Sequence, residues 1–263
     1  MKKLGCALSL GIVAAACGGG GNGGVTPTNP APIPAASACT LIGGTSSRPS
    51  VEILNGTECS PDGSSVVLLN MSPGGQCSGT IVAPNAVLTA AHCVDEGVSG
   101  VTVWLGPPTV PVPAESFVHY PGYAFNSPNS FDVAVVFTAD SLPRTAFAIL
   151  TSREARVAEP AILVGWGRDQ NNAPSTLRAG STNVSNVTIG LLETLFAPPS
   201  SSVCSGDSGG PILVGEGSTW VIAGITSATS QNVCNTGTNF YQAVRHPNVR
   251  DFILQHVPGI GQR

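Results

Sequence analysis

Short β-branched runs broken by turn residues are what most constrain the fold of this chain. Val66–Asn70, Ser78–Val82, Val87–Thr89, Val101–Leu105, Val133–Phe137, Ala161–Gly165, Pro211–Val214, Trp220–Thr226 and Asn239–Val244 are too brief for ordinary helices, and Gly, Pro, Asn or Ser separate them. Branched side chains lose rotamer freedom on a helix but pack well on a pleated surface. The pattern predicts an all-β fold of many short strands. Val249, Phe252, Ile253 and Val257 share one helical face after Pro247-Asn248, which predicts a terminal helix whose role is packing. A chain of 263 residues holds one large all-β domain or two small ones.

Chemistry is concentrated in the stretch Cys204-Ser-Gly-Asp-Ser-Gly-Gly-Pro211. A serine hydroxyl is a poor nucleophile at neutral pH until a neighbouring base takes its proton and donors hold the oxyanion that forms. The glycines around Asp207 and Ser208 allow backbone conformations closed to other residues, so the N–H groups of Gly206 and Ser208 can turn toward one point. Upstream, Thr89-Ala-Ala-His92-Cys93 offers a base and Phe131-Asp132-Val-Ala-Val135 a carboxylate to orient it.

His92, Asp132 and Ser208, in that order and each within its own motif, resemble the chymotrypsin/trypsin family of serine proteases from about Ile53 to the C-terminus. The resemblance implies two six-stranded antiparallel β-barrels with a C-terminal helix, His92 and Asp132 coming from the first barrel and Ser208 from the second. It implies His92 as general base and acid, Asp132 as its orienting carboxylate, Ser208 as nucleophile, and the N–H groups of Gly206 and Ser208 as oxyanion hole. Ser227 resembles the family serine that supports the aspartate. His119, His246 and His256 match no catalytic motif and are expected to be structural. Neither cofactor nor metal is implied.

The same resemblance makes Ile53 the activated N-terminus, whose amine would pair with Asp207. A carboxylate buried there needs a cation, both lysines lie at the extreme N-terminus, and no arginine lies near the motif in sequence. The residue before Ile53 is Glu52, not Arg or Lys. Ile42-Gly43-Gly44 is a second candidate N-terminus but lies too far upstream of His92. The specificity pocket is implied to have Ser202 at its base, with Thr229 and Asn239 narrowing it. With no aspartate at Ser202, an Arg or Lys side chain would be buried without a partner. Small or medium apolar residues are expected in the pocket. The alternative is that Thr229 and Asn239 bind a carboxylate, which would fit cleavage after Glu52 by the enzyme itself.

The start reads as a targeting segment: Lys2-Lys3, an apolar run from Leu4 to Ala16 too short to span a bilayer, then Cys17. Small residues before a cysteine resemble a bacterial lipoprotein site, so residues 1–16 are expected to be removed and Cys17 lipidated; ordinary secretion after the same cut is the alternative. Residues 17–38, glycine-rich and then proline-rich, read as a tether, 39–52 as a pro-segment, and 53–263 as the protease domain. Removal of Cys6 and lipidation of Cys17 leave six cysteines of the chain's eight, an even number suited to an oxidising compartment. Cys77–Cys93 and Cys204–Cys234 match family disulfides. Cys39 and Cys59 are left over, and their pairing would keep the pro-segment attached after a cut at Glu52.

The net charge is −4, with nine arginines against fifteen acids once Lys2 and Lys3 are set aside, so no basic patch supports nucleic-acid binding. The expected reading is an extracytoplasmic endopeptidase, a monomer acting on protein or peptide substrates, with a membrane as partner through lipid on Cys17. A catalytically silent, surface-displayed binding module is the alternative.

Overall fold

The computed structural model describes residues 34–49, 56–95, 97–124, 127, 130–168, 176–231 and 233–263. The targeting segment, Cys17, Glu52 and Ile53 lie outside them. The described chain opens with a short helix, α1 (Ala35–Leu41), followed by strands β1 (Ser46–Pro49) and β2 (Thr57–Cys59). Six strands then form the first half: β3 (Val66–Ser72), β4 (Gln76–Ala83), β5 (Ala86–Thr89), β6 (Gly100–Trp104), β7 (Val112–His119) and β8 (Ala134–Thr138). The second half contains β9 (Pro160–Gly165), β10 (Arg178–Asn183), β11 (Asn186–Val187), β12 (Leu191–Leu195), β13 (Pro211–Glu216), β14 (Thr219–Thr229) and β15 (Thr238–Ala243), and ends in α2 (Pro247–His256).

The first half closes into a barrel in the order β3-β4-β5-β8-β7-β6, every neighbouring pair antiparallel. Its interior is filled by apolar side chains including Val67, Leu69, Ile81, Val87, Val103 and Val136, all fully buried. The second half departs from a closed six-strand ladder. It is a nine-stranded sheet in the order β1-β2-β10-β9-β13-β14-β15-β12-β11. β1 and β2 extend one edge, while at the other end the turn after β10 meets β12 through the Ser185 N–H and the Glu193 carbonyl at 2.8 Å.

Each strand-like run of the sequence lies in or overlaps a strand. β1, β2, β7, β10, β11 and β12 match none of those runs. β7 shows mostly half-buried and exposed positions, and Arg178-Ala-Gly-Ser-Thr-Asn183 contains one β-branched residue. Register against β9, not propensity, makes β10 a strand. The terminal helix is present, with Pro247 at its first turn and the Asn248 N–H capped by His246 Nδ1 at 3.3 Å. Residues 35–38, placed with the tether by composition, are instead in α1, and Ala38, Cys39 and Ile42 are fully buried. Burial of Ile42 and the Cys39–Cys59 disulfide (S–S 2.02 Å) hold this segment on the second half.

One core cluster runs across both halves, with Val164, Trp166 and Ile225 packed among barrel residues, and a second, including Leu163, Ile212 and Tyr241, fills the second half. Trp104 of β6 meets Trp166, just past β9, with ring centroids 5.6 Å apart and planes tilted by 40°. Trp166 also donates its indole N–H to the Val66 carbonyl at 3.1 Å. Loops from both halves converge along this seam.

Candidate active site

β5 runs into a single 3-10 turn, Ala91–Cys93, that carries His92 out of the barrel wall. The Cys77–Cys93 disulfide fastens that turn to β4 (S–S 1.97 Å). Asp132 sits two residues before β8, where the Tyr120 N–H takes the Val133 carbonyl at 2.9 Å and fixes the entry. The His92 main-chain N–H donates to Asp132 Oδ1 at 2.9 Å, and His92 Nδ1 lies 2.8 Å from Oδ2. Asp132 is 7% exposed. Burial raises its carboxyl pKa, but the hydrogen bonds and charge of His92 and the Ser227 hydroxyl outweigh that and hold it below the usual carboxylate range. An ionised carboxylate accepts from Nδ1–H, which leaves Nε2 of a neutral ring to receive a proton.

Ser227 reaches Asp132 because β14 bulges there: Thr226 pairs with Tyr241 and Ala228 with Phe240, so Ser227 has no partner in the ladder. Its hydroxyl donates to Asp132 Oδ2 at 2.5 Å. A residue the motifs did not single out completes this side. Buried Gln242 of β15 accepts the Asp132 N–H on Oε1 at 3.0 Å and donates from Nε2 to the Gly190 carbonyl at 2.9 Å. A glutamine inside the apolar run Asn239–Val244 was the signal available in the sequence.

Ser208 stands on a tight turn ahead of β13. The N–H groups of Cys204, Asp207, Gly209 and Gly210 are spent on Asp207 Oδ2 and the carbonyls of Cys204, Thr226 and Asp207, at 2.8–3.0 Å. Among the described residues, the N–H groups of Gly206 and Ser208 meet no acceptor. Gly206 has φ +96°, and Gly209 has φ +79° with Thr89 Oγ1 and the Ser78 carbonyl where a Cβ would stand. Glycine is required at both positions. His92, Gly206 and Ser208 line one cavity of about 360 Å³. No hydrogen bond joins Ser208 to His92; such contacts are often loose before substrate binds.

Asp207 is 2% exposed, and its carboxylate accepts the Gly167 N–H on Oδ1 and the Cys204 N–H on Oδ2, both at 2.8 Å. Burial pushes its pKa up to about 6, against the pull of those two N–H groups and of the Arg178 charge. The sequence placed no arginine near this motif. Folding brings one there: Arg178, 2% exposed on β10, donates from Nη1 to the Gly167 carbonyl at 2.9 Å and lies 4.0 Å from Glu58 Oε1. Its register opposite Glu58 on β2 places it behind the turn. Ile53, the other half of the expected pair, is outside the described residues.

Beside Ser208 lies a cleft of about 330 Å³ whose walls include Val203, Ser227, Thr229 and the Cys204–Cys234 bridge. Ser202 and Asn239, expected on its surface, are absent from its lining. Ser202 Oγ donates to Asn239 Oδ1 at 3.1 Å, Asn239 Nδ2 donates to Thr194 Oγ1 at 3.0 Å, and Thr194 meets the Tyr241 hydroxyl at 3.0 Å. The asparagine is fully buried and spends both ends of its amide on these neighbours. Thr229 is on the lining, but its hydroxyl donates to the Gln231 carbonyl at 2.7 Å.

Residues 53–253 match the family described as Trypsin. Chymotrypsin-C of Bos taurus is 30% identical over 188 residues, 61% of this chain and 70% of that protein. Chymotrypsin of Phaedon cochleariae is 29% identical over 196 residues, covering 63% and 70%. Chymotrypsin-like elastase family member 1 of Macaca fascicularis is 27% identical over 187 residues, covering 60% and 70%.

Proposed function

Since the chain belongs to the trypsin family and is a serine endopeptidase, we propose that it cleaves peptide bonds with His92, Asp132 and Ser208, after small apolar residues. The reading is carried by the cavity in which His92, backed by Asp132 at 2.8 Å, faces the same space as Ser208. His92 Nε2 takes the Ser208 proton as Oγ attacks the substrate carbonyl, and the positive ring that results is stabilised by Asp132. The tetrahedral oxyanion takes the unspent N–H groups of Gly206 and Ser208. His92 then protonates the leaving amine, and water repeats the cycle on the acyl-enzyme.

Selectivity follows from the cleft. Ser202 and buried Asn239 are bonded to each other outside the lining, and among the described residues no charged side chain lines the cleft, so an Arg or Lys would lose its hydration without gaining a counterion. A glutamate would find the Asn239 amide and the Thr229 hydroxyl already engaged. Small apolar side chains fit best.

Export by residues 1–16, attachment through lipid on Cys17, and activation by a cut between Glu52 and Ile53 complete the proposal. Its support is the apolar leader in the sequence, the three disulfides, and the buried Asp207 that an Ile53 amine would neutralise. The test is an aryl phosphonate probe together with peptide nitroanilides bearing Ala, Phe, Glu or Arg before the scissile bond. Labelling confined to Ser208, with the Ala substrate turned over fastest, is expected; an unlabelled protein that hydrolyses none of the substrates would overturn the reading.

A further inference from the structure

We propose that Ser78 is a positioning residue whose hydroxyl sets the angle between the two oxyanion donors; this rests on the catalytic reading of Ser208. Ser78 lies on β4, next to Cys77, and is 0% exposed. Every polar atom it has is engaged along the seam. Its N–H donates to the Ser208 carbonyl at 2.7 Å, and its hydroxyl donates to the Gly206 carbonyl at 2.9 Å. The same hydroxyl accepts the Trp166 N–H at 2.9 Å, and its carbonyl accepts the Thr89 hydroxyl at 2.9 Å.

Peptide units are rigid planes, so holding a carbonyl fixes the whole plane that carries it. The two unspent N–H groups belong to the planes joining residues 205 to 206 and 207 to 208. Between them lies the plane joining 206 to 207, which sets their mutual angle. Its carbonyl is the one the Ser78 hydroxyl holds, and its N–H is held by the Cys204 carbonyl at 3.0 Å. The Arg168 N–H, at 2.8 Å from the Ser205 carbonyl, restrains the plane before it. Gly206, at φ +96°, is the pivot on which that plane would otherwise turn. A first-half side chain thus restrains a donor pair that lies wholly in the second.

Ser78→Ala isolates the hydroxyl, because the main-chain bond to the Ser208 carbonyl is kept. Removing one oxyanion donor outright costs about a hundredfold or more in kcat; misaligning the pair is expected to cost roughly tenfold or more, with KM within about twofold of wild type. A peptide aldehyde, whose adduct oxygen occupies the oxyanion site, should bind correspondingly more weakly. A reduced-amide isostere of the same sequence, which has no such oxygen, should bind as before. Rates are taken per folded molecule, scaled by far-UV circular dichroism, with Ser78→Thr as the variant that keeps a hydroxyl and should recover part of kcat. Wild-type kcat in folded Ser78→Ala, or equal weakening of aldehyde and isostere, would overturn the inference. Failure of the catalytic reading would be seen separately, as a wild-type protein without turnover.

Discussion

The Gly167 N–H donates to Asp207 Oδ1 at 2.8 Å, while the carbonyl of the same glycine accepts Arg178 Nη1 at 2.9 Å. One residue therefore joins a buried cation to a buried acid next to Ser208. The arrangement tempers the cost of burying Asp207 without removing it, since the pKa still rises to about 6.

A pH dependence follows. The folded pKa of Asp207 lies above the ordinary carboxylate value of 3.8, so the folded chain holds that proton more tightly than the unfolded one. The associated stability is fully present below about pH 3.8 and is lost as pH rises through about 6, by on the order of 3 kcal/mol. Chemical denaturation of uncut Ser208→Ala protein at pH 4 and pH 7 should show this loss. The same protein carrying Asp207→Asn as well should lack it, and a free amine docked at Asp207 should reverse its sign. A loss undiminished by Asp207→Asn would assign it to other groups.

Activation by a free Ile53 amine is tested by blocking the cut. Ile53→Pro or Glu52→Pro should leave a chain with its His92–Asp132 pair assembled and low turnover. Full activity in a chain whose N-terminal sequencing finds no end at residue 53 would assign the neutralising role to Arg178 alone.

Substitution of Ser208 by Ala should reduce hydrolysis by on the order of a millionfold, and His92→Ala nearly as much, because the group acts as a unit. Asp132→Asn should cost about ten-thousandfold by favouring the wrong tautomer of His92. Steady-state kinetics with an Ala-containing nitroanilide decide all three, with melting curves close to wild type for Ser208→Ala.

Removing the buried amide paired behind Thr229 should change selectivity. Asn239→Gly opens space and frees the Ser202 hydroxyl, so kcat/KM for Phe or Leu should rise relative to Ala. Thr194 loses its amide donor, and a stability loss of about 1–3 kcal/mol is expected. An unchanged ratio would show that the walls, Val203 and Thr229 among them, set the limit.

The Cys39–Cys59 bridge spans the expected cut. After processing at Ile53, the two fragments should separate on a denaturing gel when reduced and run together when not. Serine at both positions should lower stability by about 2–4 kcal/mol, read as a drop in melting temperature.

The legible parts of the site were those whose chemistry needs its residues side by side in sequence. A serine between glycines, and a histidine beside the cysteine that staples its loop, are local patterns, and both stand at the cavity. Arg178, Gln242 and Ser78 carry no motif; each is placed by strand register far along the chain, β10 against β2, β15 against β14, β4 beneath the Ser208 turn. The cleft failed for a related reason. Ser202 precedes the lining residue Val203 and Asn239 pairs with Thr229, but whether they face the opening or each other depends on side-chain hydrogen bonds. In the fold, the short strands and terminal helix followed from pattern and the barrel from the family resemblance, whereas β7 and β10 are strands because their neighbours pair with them.

Trp104 and Trp166, two of the three tryptophans, face each other between the halves with centroids 5.6 Å apart. Indole transitions this close couple, so the near-ultraviolet dichroism of the unlabelled protein carries a signal set by the spacing and tilt of the pair. The chain holds an optical gauge of its own seam, one that can be followed through processing, acidification or inhibitor binding without attaching a dye.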